Sequence, residues 1–263
     1  MPEGHTIHRL AADHRRDFAR RIVDVSSPQG RMAEGAALVT GEVLETVEAY
    51  GKHLFYRFAS DVTVHVHLGL FGKFTRQRVP AAAPRDTVRM RLVGEGWATD
   101  LTGPTDCRPI TAAQEAVIRA RLGPDPIRRD ADPDEAWTRL TRRRIPIAAA
   151  LLDQKVMAGV GNVYRAEALF VHGIHPDRPA NLLTRAEFDG LWATLVSMLR
   201  QGVKDRRIIT VADEELDRPR RQMRSKEAVY VYKRDTCRRC ASAIQRWDMA
   251  GRWAYACPVC QPR

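Results

Sequence analysis

The chain contains 263 residues, of which 44% are hydrophobic and 29% charged, and its 43 Lys and Arg exceed its 32 Asp and Glu by 11. This composition is typical of a folded chain with one large domain or two, and it excludes a collagen, a coiled coil and wholesale disorder. The basic charge favours a nucleic acid or an anionic membrane surface as partner, although no apolar run approaches the ~20 residues that a membrane span needs.

The first half of the sequence changes its apolar period twice. Residues 5–20 place apolar side chains at spacings of three and four, which predicts an amphipathic helix. From about residue 21 to residue 101 the period becomes two, with Gly and Pro between the segments, so we expect a series of short strands. Helical spacing returns over residues 112–122. Short strands in succession favour a β-sandwich or a barrel.

The second half begins with a proline-rich segment that predicts a linker. Beyond it, the pattern predicts helices up to residue 200, then a polar, mobile loop over 203–228 and a strand over 228–234. The predicted divisions are an N-terminal domain of residues 1–122, a linker of 123–134, a helical domain of 135–227 and a cysteine module of 228–263.

Basic residues are densest at the C-terminal end. Residues 201–263 contain 15 Lys or Arg and 8 Asp or Glu, a net charge of +7. A nucleic-acid partner would explain this excess, but so would the abundance of Arg codons in a GC-rich genome. The first ten residues lack the apolar core of an export signal, so we expect a cytoplasmic protein.

Four of the five cysteines form two CxxC pairs, Cys237 with Cys240 and Cys257 with Cys260, separated by sixteen residues. This spacing predicts one tetrahedral zinc ion held by four thiolates at the ends of a hairpin. Two disulfides would suit an exported protein better. Cys107 stands apart, and we expect it to be a buried thiol.

Pro2 and Glu3 form a second candidate site. Removal of Met1, which is common before a small residue, would leave Pro2 with the α-amino group, whose pKa of about 7.7–8.0 lies well below that of a lysine. Such an amine can attack a sugar C1′ or an aldehyde and form a covalent imine. Glu3 could serve the same substrate as a general acid or base. Alternatively, Glu3 only complements the helix dipole.

Residues 151–170 contain a glycine-rich turn. An apolar helix is predicted to end in Gly159-Val160-Gly161-Asn162, with a second helix following at once. Glycines and a helix N-terminus at this point suit a phosphate, and Lys155 and Asn162 could add side-chain donors. An ordinary helical hairpin that needs Gly for steric reasons fits equally well.

Arg252 lies between the two cysteine pairs, in the segment that predicts a hairpin. A metal-pinned hairpin would hold its planar guanidinium rigidly, in a form suited to phosphate. It could also be one of many solvated arginines. His65 and His67 lack a third ligand, so we expect structural roles for them rather than a metal site. For His5 and His8, one turn apart on the first helix, we expect solvation or DNA contact rather than a metal.

Taken in order, these motifs resemble the Fpg/Nei family of DNA glycosylases from end to end. The matching segments are MPEG at the start, GKHLFYRF at 51–58, HLGLFGKF at 67–74, LGPDPI at 122–127, LLDQKVMAGVGNVYRAEAL at 151–169, VYKRDTCRRC at 231–240 and GRWAYACPVCQ at 251–261.

The resemblance implies an α+β, two-domain fold. An N-terminal β-sandwich flanked by helices would precede a C-terminal helix–two-turn–helix domain with a four-cysteine zinc β-hairpin. The implied partner is double-stranded DNA that contains damaged bases or abasic sites, bound by a monomer in the cleft between the domains. This activity would place the protein at the bacterial nucleoid, with no membrane association.

Residue by residue, the resemblance also implies catalytic roles. Pro2 would be the Schiff-base nucleophile and Glu3 the proton donor in base excision. Lys52 matches a basic residue that aids β-elimination and touches phosphate, and Arg252 matches the hairpin arginine of phosphate binding and δ-elimination. The metal would be one structural Zn²⁺.

Five further positions match family residues that contact DNA. Asn162, Lys155 and Arg121 match contacts to the DNA strand. Leu70 and Phe71 fall where the family inserts side chains into the space left by an extruded base, which compensates lost stacking. The alternative for Leu70 and Phe71 is packing in the core, as the preceding strand alternation would allow.

The sequence departs from the family pattern at two places. Ala241 stands where a Gly usually follows the second zinc cysteine, and residues 100–109 lack the Arg-x-Phe arrangement of the branch that acts on oxidised purines. The resemblance therefore implies a bifunctional DNA glycosylase and abasic-site lyase of the Nei-like branch, acting on oxidised pyrimidines. An oxidised-purine enzyme and a non-catalytic zinc-finger DNA-binding protein are the alternatives, and the intact Pro2, Glu3, Lys52 and Arg252 argue against the second.

Overall fold

The computed structural model describes residues 2–263, which form two compact units. The first contains Pro2, Glu3 and Ile7–Arg121, and the second contains Gly4–Thr6 and Leu122–Arg263. Residues 123–126, which the proline content assigns to a linker, are buried. The Gly123 amide donates to the Gln154 carbonyl at 2.8 Å. This segment is therefore part of the second unit rather than a free connection.

The first unit is built from eight antiparallel strands and three helices. The strands are β1 (Arg21–Ser26), β2 (Glu42–Tyr50), β3 (His53–Phe58), β4 (Thr63–His67), β5 (Lys73–Arg78), β6 (Val88–Val93), β7 (Trp97–Thr102) and β8 (Asp106–Ile110). The helices are α1 (Gly4–Phe18), a short α2 (Ala33–Ala37) and α3 (Ala112–Ala120). The sequence pattern did not predict α2.

The sheet order is β5-β7-β6-β1-β2-β3-β4-β8. Strand β1 joins its two halves, because its first three residues pair with β2 and its last three pair with β6. Both halves contribute to one hydrophobic core, with Leu44 and Val66 from one side and Leu92 and Leu101 from the other. The predicted sandwich, and with it the fold class, is confirmed.

Helix α1 packs on this core through its apolar face, with Ile7 and Phe18 almost fully buried. A buried hydrogen bond joins His14 Nδ1 to Tyr56 Oη at 2.7 Å. Asp17, on the same helix, forms a two-pronged ion pair with Arg76 at 2.7 and 2.8 Å. These contacts fix the helix whose N-terminal end follows Glu3.

The second unit is helical and ends in a hairpin. Its helices are α4 (Pro133–Thr141), α5 (Ile147–Leu152), α6 (Asn162–Val171) and α7 (Arg185–Asp205), and its strands are β9 (Gln245–Met249) and β10 (Arg252–Ala256). Met249 and Ala254 of the hairpin are buried in the same hydrophobic cluster as α5, α6 and α7. The hairpin is therefore packed on the helices. No helix in the described part of the chain is long and apolar enough to cross a membrane.

Two local predictions for this unit are wrong. The first apolar helix ends at Leu152 rather than at Gly159. Residues 228–234, predicted as a strand, have no regular structure. The buried Glu167 carboxylate accepts the backbone N–H groups of Tyr230, Val231 and Tyr232 at 2.6–3.0 Å. A side chain from α6 thus takes the hydrogen bonds that a neighbouring strand would otherwise supply.

Residues 206–228 are irregular except for two short 3-10 turns, Asp213–Glu215 and Arg220–Gln222. Arg220 crosslinks this segment, because its guanidinium pairs with Asp205 at the end of α7 and with Asp213. Ile209 and Met223 are buried in a small cluster beneath it.

Candidate functional site

Pro2 and Glu3 lie directly before α1. Glu3 is the N-cap of the helix in an extended conformation, and its side chain is fully buried, while Pro2 is partly exposed. A general acid that assists an amine on residue 2 has to lie next to that residue, and Glu3 meets this condition by its position in the chain. Met1 lies outside the described residues.

Lys52 lies in the tight turn between β2 and β3. Tyr50 pairs with His53, so the turn contains only Gly51 and Lys52. Gly51 has φ +55, a conformation that glycine adopts without strain and that two-residue hairpins need at this position. The turn presents Lys52 half-buried at the end of the hairpin.

Three histidines lie next to Lys52. Asp106 Oδ2 is 3.2 Å from His65 Nδ1, and His65 Nε2 is 2.8 Å from His53 Nδ1. Burial lowers the pKa of His53 to about 3, and the nearby His67, His65 and Lys52 charges contribute. His65 therefore bridges Asp106 and His53 through its two ring nitrogens. The rings of His53 and His67 are 4.8 Å apart.

These histidines do not form a metal site in the structure. Among the described residues, the four cysteines are the only group of three or more potential ligands whose donor atoms lie within 4.8 Å of one another. The expectation of a structural role for His65 is supported by its hydrogen bonds to Asp106 and His53. Sequence reasoning missed His53 because its partners are on neighbouring strands, not at a fixed spacing along the chain.

Leu70 and Phe71 lie on the turn between β4 and β5. Leu70 is 49% exposed. Phe71 is 83% exposed, the highest value for a large hydrophobic side chain in the described residues. Packing in the core is therefore the wrong interpretation of this pair. Two adjacent apolar side chains on a solvent-facing turn are available to a ligand.

Residues 153–161 form the turns between α5 and α6. The Gln154 side chain closes them: it donates to the carbonyls of Leu152 and Val160 and accepts from the Gly159 amide, all at 2.9–3.0 Å. Lys155 is exposed at the start of these turns. Sequence reasoning did not select Gln154, although a polar side chain inside an apolar segment was the available signal.

Asn162, the first residue of α6, joins the turns to the hairpin. Its Nδ2 donates to the Trp253 carbonyl at 3.2 Å, and Arg165 Nη2 donates to the same oxygen at 3.1 Å. Asn162 Oδ1 is buried without a partner in the described residues. Arg252 is exposed at the start of β10, next to Trp253, which is 52% exposed. The structure thus brings Asn162 and the Arg252 segment together.

Lys155, Arg121 and Cys107 are more isolated. Lys155 and Arg121 are both exposed, and Arg121 follows the last turn of α3. Cys107 is buried, 3.6 Å from the Met32 sulfur. Burial raises the pKa of its thiol to about 12, so it is not a nucleophile at neutral pH.

The four hairpin cysteines converge on one point. Their sulfurs are separated by 3.3 Å (Cys240–Cys257), 3.6 Å (Cys240–Cys260) and 3.9 Å (Cys237–Cys260). A tetrahedron of thiolates with metal–sulfur bonds of about 2.3 Å has edges of about 3.8 Å. The residues present therefore fit a four-thiolate metal site, and all four are free cysteines, which excludes the disulfide alternative in this structure.

Two family profiles match the chain: the formamidopyrimidine-DNA glycosylase N-terminal domain over residues 1–105 and the formamidopyrimidine-DNA glycosylase H2TH domain over residues 122–213. "Endonuclease 8 1" of Mycobacterium tuberculosis is 47% identical, with 99% of this chain and 100% of that protein covered. "Formamidopyrimidine-DNA glycosylase" of Desulfitobacterium hafniense is 29% identical, with 99% and 98% covered.

Solved structures show the same fold. The Lactococcus lactis Fpg in complex with DNA containing an abasic site has a TM-score of 0.81 and 22% identity, covering 99% of this chain and 100% of that one. Fold and sequence together define a DNA glycosylase of base excision repair. The chain belongs to the Fpg/Nei family, whose glycosylases have abasic-site lyase activity.

Proposed function

We propose that this enzyme removes oxidised pyrimidines from DNA and then cuts the strand, with Pro2 as nucleophile. The observation that carries this proposal is the Pro2-Glu3 pair, in which a fully buried Glu3 directly follows the residue that would bear the N-terminal amine. The 47% identity to an endonuclease 8 over the whole chain supports the same reaction class.

In the proposed reaction the unprotonated Pro2 nitrogen attacks C1′ of the damaged nucleotide. A C1′–N bond forms, the glycosidic bond to the base breaks, and the departing base takes up the proton that the Pro2 nitrogen loses. Glu3, as its carboxylic acid, then gives a proton to O4′ as the C1′–O4′ bond breaks and the sugar ring opens. The product is an iminium ion, which withdraws electrons from C2′ and so prepares the elimination.

Strand cutting follows by elimination. Loss of a C2′ proton breaks the C3′–oxygen bond, and loss of a C4′ proton then breaks the C5′–oxygen bond, each step releasing a phosphate end. We assign Lys52 to the first elimination and Arg252 to the second, because each is a cation able to hold the departing phosphate.

Further residues are proposed to contact the DNA. Lys155, Asn162 and Arg121 are proposed phosphate contacts, of which Lys155 and Arg121 are exposed and Asn162 retains a second amide hydrogen beside the one given to Trp253. Leu70 and Phe71 would fill the space left by the extruded base, since extrusion costs a few kcal/mol in lost stacking and pairing.

We propose that the metal of the cysteine cluster is Zn²⁺, because four thiolates at tetrahedral separations are its usual structural ligands. Zinc would hold the ends of β9 and β10 together and so keep Arg252 in place; it would take no part in the reaction.

The preference for pyrimidines rests on the β7–β8 connection. It contains only Gly103, Pro104 and Thr105, which are too short to hold the unpaired base opposite a large extruded purine. Arg108 is long enough, but its Nε donates to Asp106 at 3.0 Å. Without side chains that read the opposite base, we expect oxidised pyrimidines as substrates, weak opposite-base discrimination and some activity on single strands.

Borohydride reduction on a DNA duplex that contains an abasic site tests the proposed chemistry. Reduction of the iminium leaves a stable protein–DNA bond, visible as a shifted band on a denaturing gel. Trapping is expected for the unaltered chain and is expected to be lost when an N-terminal extension turns the Pro2 nitrogen into an amide, which is not nucleophilic. An unchanged yield in the extended protein would remove Pro2 from the mechanism.

A further inference from the structure

The turn between β4 and β5 that carries Leu70 and Phe71 is unusually constrained. Gly72 N donates to the Leu68 carbonyl at 2.9 Å, which closes the turn on itself. A Cβ on Gly72 would lie 2.3 Å from that same oxygen, so only glycine fits. The turn therefore has little freedom to rearrange around its two exposed apolar side chains.

The β7–β8 connection packs against this turn from the other side. Thr105 N donates to the His67 carbonyl at 2.9 Å. Gly69 has φ +63, and a Cβ there would lie 1.9 Å from Thr105 Oγ1. The Thr105 side chain therefore occupies the space directly beside Gly69, one residue before Leu70.

Gly103, in the same connection, makes a second contact with the turn. It has φ +63, and a Cβ there would lie 3.3 Å from the Phe71 carbonyl oxygen. The connection thus touches the turn on both sides of Leu70 and Phe71, at Gly69 and at the Phe71 backbone.

We propose that the Gly103–Thr105 connection is a brace for Leu70 and Phe71, with Thr105 as a positioning residue for base extrusion. An exposed apolar turn that is ordered before it meets DNA loses little further conformational entropy on insertion, so more of its contact energy stabilises the extruded state. In this proposal the connection contacts the β4–β5 turn and holds Leu70 and Phe71 in place, and it does not itself contact the DNA bases. This inference rests on the proposed function of Leu70 and Phe71.

The brace is needed only where a base has to be extruded from a duplex. Single-turnover excision of 5-hydroxyuracil from a duplex requires extrusion, whereas borohydride trapping on a single strand with a preformed abasic site does not. Gly69→Ala places a methyl group against Thr105 Oγ1. In Gly69→Ala we expect the rate of duplex excision to fall about tenfold or more, while the yield of single-strand trapping stays within about twofold. We expect the same selective loss in Phe71→Ala.

Two further variants separate the brace from general damage. Gly30→Ala is the matched control, because Gly30 also has positive φ, at +86, but a Cβ there meets nothing within 4 Å. It is expected to leave both rates unchanged. Gly69→Ala combined with Thr105→Gly removes the side chain that the new methyl group meets, so the two losses should not add, and the double variant should excise from the duplex at about the rate of Thr105→Gly alone.

Unchanged duplex excision in Gly69→Ala would overturn the brace, and so would an equal loss in both assays or additive losses in the double variant. Thr105→Gly alone should lower duplex excision selectively, which keeps the inference testable if Gly69→Ala does not fold. Failure of the unaltered chain to trap an abasic strand would instead overturn the proposed function.

Discussion

At the residue scale, the proposed nucleophile depends on cleavage of the peptide bond between Met1 and Pro2, which folding does not bring about. Pro2 has a reactive amine only after Met1 is removed. Retention of Met1, or an N-terminal tag, should therefore abolish borohydride trapping while DNA affinity remains largely intact, because the phosphate contacts lie elsewhere. Mass spectrometry and a binding titration on the same sample check this. Full trapping by protein that retains Met1 would contradict it.

The proposed phosphate contacts are also single residues, and their number is measurable. Each neutralised phosphate contributes roughly 0.9 to the slope of log K against log salt, so Lys52→Ala, Lys155→Ala and Arg252→Ala should each make the slope shallower by about one unit. Arg31→Ala, which removes an exposed arginine outside the proposed set, is the control and should leave the slope unchanged. Slopes unchanged in all three variants would place the DNA on another surface.

At the element scale, the hairpin flanked by the four cysteines should behave as a metal-dependent module. Thiolate-bound zinc supplies much of the folding energy of small modules. Cys237→Ser or chelation should therefore disorder the hairpin, remove the Trp253 carbonyl that Asn162 and Arg165 bind, and lower both DNA binding and strand cutting. Circular dichroism should still show the β-structure of the first unit.

Cys107→Ser is the control for the zinc prediction, since it changes a buried free cysteine outside the cluster. It should retain metal and DNA binding. Metal analysis of active protein that shows far less than about one zinc per chain would make the four-cysteine assignment wrong.

His14 on helix α1 makes the free energy of unfolding depend on pH. Burial lowers the pKa of His14 from 6.5 to about 4, with the neighbouring Asp17 and Asp13 opposing the shift and Arg76 and Arg9 adding to it. The unfolded chain thus binds a proton that the folded chain excludes. This stabilisation is complete above pH 6.5 and decreases as the pH falls towards 4, by on the order of 2 kcal/mol between pH 7 and 5.

Urea unfolding at pH 7 and pH 5 measures this dependence. Other buried histidines, such as His53, act in the same direction, so the test is a comparison. His14→Gln should reduce the loss of unfolding free energy between the two pH values, whereas Leu38→Gln, at an exposed position without an ionisable side chain, should not. An identical loss in His14→Gln and the unaltered chain would exclude His14 as a source.

At the scale of the whole molecule, the exposed Leu70 and Phe71 and the short β7–β8 connection together predict the lesion preference. Single-turnover excision of 5-hydroxyuracil and 8-oxoguanine, each paired with cytosine and with guanine at one salt concentration, compares the substrates directly. We expect faster removal of 5-hydroxyuracil, with rates that differ little between the two opposite bases. Faster 8-oxoguanine removal that depends strongly on cytosine would support the oxidised-purine alternative.

Much of this molecule is predictable from the sequence because the relevant signals are local. A period of two from about residue 21 to residue 101 predicts strands, and the structure has seven of its eight first-unit strands there, the last ending at Thr102. Two CxxC pairs predict sulfurs that converge, since a CxxC turn presents both sulfurs to one ion. The proposed roles of Pro2, Glu3, Lys52 and Arg252 also derive from short motifs, although these roles remain predictions.

Other features depend on partners far along the chain, and tertiary structure alone decided them. The alternating segment at 228–234 is not a strand, because Glu167 binds its amides from α6. Helix α5 ends early because the Gln154 side chain closes the following turns. Thr105, just before β8, lies against Gly69, just after the neighbouring strand β4. Periodicity reports which face of an element is apolar, whereas long-range hydrogen bonds and contacts decide which element forms and where its side chains point.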